Sequence, residues 1–131
     1  MIMKKISLLF VLLLTLLTAC KKEKEDNTHA LQKKWSLVNT SFKEYNNGTM
    51  VYEDNYTGLP GDYLDFRTDN KLYTFITGAN DVMDYKILDG NKVTIDGDTF
   101  DILTLNSSAA TLYLKEGSAA NYSEVRLNLK R

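Results

Sequence analysis

The chain has 131 residues, one cysteine and a net charge of −1, with 25% charged and 44% hydrophobic residues. This length suits one folded domain and leaves no room for two. A lone cysteine excludes an internal disulfide framework, and no run of Lys or Arg in the body of the chain exceeds the pair Lys33-Lys34, which argues against a nucleic-acid partner.

In chain order, Met1 to Lys5 carries two positive charges, Lys4 and Lys5, and is followed by the uncharged run from Ile6 to Leu17. A basic start, a short apolar core and small residues at its end are the parts of a secretory signal peptide. A membrane span needs roughly 20 apolar residues, and this run stops short of that, at Cys20 and Lys21-Lys22. Leu17-Thr18-Ala19-Cys20 then resembles the lipobox of bacterial lipoproteins: an aliphatic residue, a small or hydroxylated one, Ala or Gly, then Cys. The resemblance implies cleavage between Ala19 and Cys20, a diacylglycerol thioether on the Cys20 sulfur and an acyl chain on its new amine. Each buried methylene contributes about 0.8 kcal/mol, so two or more chains hold firmly. The implied division is a signal peptide over 1–19, a lipidated Cys and flexible tether over 20–30, and a folded domain over 31–131. The implied location is the outer membrane, lipid-anchored, on its periplasmic or cell-surface face. Loss of Lys4 and Lys5 with the signal takes the net charge to −3.

The stretch Lys21 to His29 has no aliphatic residue and cannot bury enough surface to offset its ordering entropy. Its Lys-then-acidic character resembles the surface-export signals behind the lipid-bearing Cys of some Gram-negative lipoproteins. A solvated charge run accounts for it equally well.

From Lys34 onward apolar and polar residues alternate, and no stretch sustains a helical i, i+3, i+4 pattern for three turns. The alternation predicts strands near Trp35–Tyr45, Met50–Asn55, Asp62–Arg67, Leu72–Thr77, Val82–Leu88, Lys92–Asp96, Thr99–Asn106, Ala110–Lys115 and Ser123–Lys130. Asn46-Asn47-Gly48, Thr68-Asp69-Asn70, Asp89-Gly90-Asn91 and Asp96-Gly97-Asp98 supply tight turns. Short hairpins predict an antiparallel up-and-down meander. Parity turns Leu64, Phe66, Tyr85, Val93, Ile102 and Leu112, among others, to one face. Such a sheet buries its apolar face and removes its edges by closing into a barrel of about eight strands.

The segment Leu31-Gln32-Lys33-Lys34-Trp35-Ser36-Leu37, with Tyr63-Leu64-Asp65-Phe66-Arg67-Thr68-Asp69-Asn70, resembles the small lipocalin-like domains of bacterial lipoproteins. Lys33 stands where that family commonly has Gly. The resemblance implies that Trp35 closes the barrel floor and that Arg126 on the last strand stacks on it. Arg126 has the opposite parity to Val125 and Leu127, so it would reach Trp35 only from outside. Trp35 is otherwise simply the largest core residue.

The domain lacks a Ser-His-Asp or Cys-His constellation, a His-rich zinc set and a phosphate-binding glycine loop. An enzyme is therefore not expected, and no cofactor is implied. Asp96, Asp98 and Asp101 flank one turn, but Gly97 and Phe100 stand in the wrong places for a calcium loop. Tyr52, Tyr56 and Tyr63 surround the only Gly-Pro loop, and a tyrosine offers a flat apolar face with a polar tip. They are the candidate binding residues at the barrel mouth. Two readings follow. One is a non-catalytic barrel taking a small hydrophobic molecule or a glycan. The other is an interaction module, such as a lysozyme-inhibitor-like barrel, docking an envelope protein.

Overall fold

The computed structural model describes residues 27–89 and 91–131. The signal peptide, Ala19, Cys20 and the spacer up to residue 26 lie outside the described residues. Within them, helix α1 (Asn27–Leu31) precedes strands β1 (Lys34–Asn46), β2 (Thr49–Thr57), β3 (Tyr63–Phe66), β4 (Lys71–Ile76), β5 (Ala79–Leu88), β6 (Lys92–Ile95), β7 (Asp98–Leu105), β8 (Ala109–Gly117) and β9 (Tyr122–Lys130). All pairings are antiparallel, and the order β2-β1-β3-β4-β5-β6-β7-β8-β9 closes through β1 against β9. Eight strands form the barrel and β2 is an extra one.

β2 stands outside the ring because β1 is long. One edge of β1 pairs with β9 from Ser36 to Tyr45. Its other edge is shared: Lys34 to Ser36 pair with β3, and Asn39 to Asn46 pair with β2. β2 and β3 thus run in the same direction along one edge, and the segment Gly58 to Asp62 joins them without a hairpin. At this one point the chain departs from a simple meander.

The closed end is built from the start of the domain. Leu31 and Trp35 are both fully buried, and the Trp35 Nε1–H donates to the Leu31 carbonyl at 3.0 Å. Phe66 meets Tyr85 edge to face, with centroids 5.1 Å apart. The Tyr85 hydroxyl donates to the Arg67 carbonyl and accepts from Gln32 Nε2 at 3.1 Å. Truncating a fully buried side chain of Trp35's size typically costs about 3–5 kcal/mol. The spacer expected to stay unstructured through residue 30 therefore ends sooner. Asn27–Leu31 is helical because Leu31 is drawn into the floor of the core.

Bulges re-aim two strands. β1 slips register between Leu37 and Asn39, so its inward residues are Trp35 and Leu37 below the slip, then Thr40 and Phe42 above it. β7 slips between Ile102 and Thr104, which leaves Leu103 half-exposed on the outside and returns Leu105 to the core. Two-residue turns with positive φ at both positions join β1 to β2 (Asn47-Gly48), β4 to β5 (Thr77-Gly78) and β6 to β7 (Asp96-Gly97).

Candidate functional site: an acidic-rimmed apolar mouth

The barrel is filled at the α1 end and hollow at the other. The hollow measures about 460 Å³ and is walled by Leu72, Ile76, Met83, Phe100, Val125 and Leu127. Small-molecule sites commonly run from roughly 300 to 1,000 Å³, so this one suits a small ligand. Unequal strand lengths produce it. β8, β9 and β1 pair along their full length, whereas β7 reaches only to Tyr113 on β8 and β6 has four residues. The ribbon β2-β1-β9-β8 therefore stands above a low wall at the β6–β7 turn.

Cross-strand partners share a face of the sheet. Asp98 is opposite the buried Ile95, and Asp81 is opposite the buried Thr74, so both carboxylates turn inward at the rim. Asp96, in the turn, also lines the hollow. Among the described residues these three form no salt bridge. The ion pairs lie elsewhere: Arg67 with Asp65 at 2.8 Å, Lys71 with Asp84, and Lys92 with Asp101. The acidic group read from the sequence around one turn is thus divided, since Asp101 faces outward to Lys92 while Asp96 and Asp98 face the mouth. Among the described residues no group of three acidic, His or Cys side chains is placed to hold a metal ion.

Asp62 is the most consequential residue that the sequence reading passed over. It is only 4% exposed and it ties three elements together. Its Oδ2 accepts from the Tyr56 hydroxyl and from the Leu59 N–H at 2.9 Å, and its Oδ1 accepts from the Thr77 N–H at 3.2 Å. Its main-chain carbonyl accepts from the Leu37 N–H at 3.1 Å. The Tyr56 hydroxyl first, then the Leu59 N–H, hold its carboxyl below the usual range despite burial. The same bond pushes the Tyr56 hydroxyl up. The carboxylate braces Thr77, a β-branched residue at φ 54°, where few such residues sit.

The three candidate tyrosines do not act as one group. Tyr56 faces inward from β2, but its hydroxyl is committed to Asp62. Tyr52 shares that face, is half-exposed and meets Phe42 edge to face at 6.0 Å. Tyr63 is on the outside of β3, stacked on Phe75 at 6.1 Å and under Lys34 Nζ at 4.0 Å, so it does not border the mouth. All three lie on strands; the Gly-Pro loop between them is short.

The contact expected between Trp35 and Arg126 is absent. Trp35 is sealed inside the floor, whereas Arg126 is on the outer face, its guanidinium 5.5 Å from the Tyr113 ring centre. Strand parity separates the two. Burial, then the hydrogen bond that the Tyr113 hydroxyl donates to Glu124 Oε1 at 2.9 Å, pushes the Tyr113 pKa up to about 12.

No protein-family model matches this chain, and no curated protein matches it.

Proposed function

We propose that this is a lipid-anchored, non-catalytic binding protein of the cell envelope, whose lipocalin-like barrel takes a small apolar molecule into the hollow above Phe100. The carrying observation is the 460 Å³ apolar hollow, open at one end of a barrel whose other end is filled by Leu31 and Trp35. The described chain enters at that filled end, through α1. A diacylglyceryl group on Cys20, seven residues before Asn27 in the sequence, would tether the barrel through that end of the chain. Lys33 and Lys130 also lie towards the filled end, where Lys71 and Lys92 are paired with Asp84 and Asp101.

Among the described residues the nine strands enclose one contiguous core, so the segment 27–131 carries its own core and serves as the test protein. Titration with Nile red, an uncharged apolar dye, is expected to show saturable one-to-one binding with a blue-shifted emission. Ala79→Trp, at an exposed position of the rim, is expected to weaken that binding about tenfold or more by closing the mouth. Absence of saturable binding by the folded protein rejects the reading.

A second reading, an interaction module for an envelope protein, is favoured by β2. Among the described residues its outer edge pairs with no strand, and Met50, Val51 and Tyr52 are exposed on it. That reading predicts a partner displaced by substitutions in β2 and indifferent to Ala79→Trp.

A further inference from the structure

Whatever enters the mouth must pass a surface of one sign. Register fixes which side chains face inward above the hollow. On β1, Phe42 is opposite Val125, and Glu44 is opposite Ser123, so Glu44 shares the inner face. On β2, Asp54 is opposite Phe42, and on β8, Glu116 is opposite Ser123. Asp81 and Asp98 complete the inward set from the low wall, and Asp96 caps it at the turn. Among the described residues no inward position of the mouth half holds Lys or Arg. The cations of the tall ribbon, Lys43, Lys115 and Arg126, are on its outer face, where Lys115 covers the Tyr122 ring at 4.0 Å. Two independent features therefore converge, an apolar hollow and an uncompensated acidic collar directly above it.

We propose that the ligand is an amphiphile with an apolar body and a positively charged end, the body in the hollow and the charge held at the collar by Asp81, Asp96 and Asp98. This rests on the binding reading above and narrows it. The collar acts as a selectivity device as well as an attractor. A carboxylate or phosphate head on the same apolar body would meet only like charge, which specific sites use to reject a competitor. Attraction focused by a low-dielectric wall also raises the local concentration of a cation at the mouth. Among the described residues the inward carboxylates have no partner cation, so a bound cation displaces no ion pair there.

The test uses three probes with one tail, decylamine (a cation at pH 7), decanol and decanoate, each competing with Nile red on residues 27–131 at low ionic strength. Decylamine is expected to bind about tenfold tighter than decanol, and decanoate weaker than both; a few carboxylates within roughly 5–8 Å of the charge supply a preference of that order. Raising salt to about 0.5 M is expected to shrink the preference to about threefold or less, because the Debye length falls below the spacing. Combining Asp81→Asn, Asp96→Asn and Asp98→Asn is expected to bring decylamine within about twofold of decanol; Asn tolerates the left-handed backbone at Asp96. Equal binding of decylamine and decanol by the unaltered protein overturns the charge assignment and leaves the apolar hollow standing. A preference for decylamine that survives the triple substitution overturns the assignment to these three residues. If Nile red itself fails to bind, the hollow is not a binding site and both proposals fall.

Discussion

Asp62 shows how one side chain can set the shape of a binding mouth without lining it. A carboxylate has up to four acceptor sites, and Asp62 uses its oxygens on Tyr56, Leu59 and Thr77, one partner on each of three separate segments. Leaving any of these donors buried and unpaired costs more than the bond itself contributes. Asp62→Ala is therefore expected to lower Tm by about 5–10 °C at pH 7, read by thermal circular dichroism. The pH dependence has a definite sign. The native carboxyl is depressed relative to the unfolded one, so its contribution is complete above the unfolded value of about 3.9 and is lost as pH falls through the lower native value. The Tm gap between the unaltered protein and Asp62→Ala is expected to be constant from pH 7 to about 5 and to narrow below about 3.9. A gap that stays the same down to pH 2 would mean that burial alone, and not the ionised state, matters at this position.

At the scale of elements, the junction between β2 and β3 decides where the barrel ends and the extra strand begins. The bulge at Val38 turns its carbonyl out of the β9 ladder towards Gly58, whose N–H donates to it at 2.8 Å. The approach is so close that a Cβ on Gly58 would lie 1.9 Å from the Leu37 carbonyl oxygen. Backbone atoms must move to admit it. Gly58→Ala is expected to destabilise the fold by roughly 2–4 kcal/mol. Gly48→Ala is the control: its Cβ would meet nothing within 4 Å, and only its φ of 75° opposes the change, a cost of about 1 kcal/mol. Denaturant midpoints for the two variants check this, and equal losses would show that the close approach does not bear on stability. Pro60, with no N–H to give to a ladder, stands in the same junction and helps keep β2 and β3 from fusing into one strand.

For the whole molecule, closure and charge placement act together. In the ring of eight every strand has a neighbour on both sides, and among the described residues β2 is the one strand with a single neighbour; Glu53 and Asp54 on it discourage pairing between copies. The filled end receives the chain and much of the positive charge, and the open end carries the acidic collar. In the proposed reading the barrel is tethered to the membrane through Cys20. Cys20→Ala is expected to move the protein from the detergent phase to the aqueous phase in a Triton X-114 partition, since two or more acyl chains anchor firmly and a bare polypeptide of this composition does not. Retention of the variant in the detergent phase would reject the anchor.

Much of the fold was legible along the chain. Period-two alternation located all nine strands, and parity turned Leu64, Phe66, Val93, Ile95, Phe100 and Leu112 inward, because each property depends on near neighbours alone. Asn47-Gly48 and Asp96-Gly97 were readable as turns for the same reason. Thr77-Gly78 was not, since Thr seldom adopts that backbone and its brace, Asp62, stands fifteen residues away. The bulges at Val38 and Leu103 break parity without a local signal, and the partition of β1 between two partners depends on which strands it meets. The mouth is of the same kind. Its acids come from β1, β2, β5, β7, β8 and the β6–β7 turn, and nothing in their spacing shows that they share a face until the ring closes. Local chemistry along the chain determined what each strand is. Only closure, with its slipped registers and unequal strand heights, decided which side chains meet and that the space between them is apolar below and acidic above.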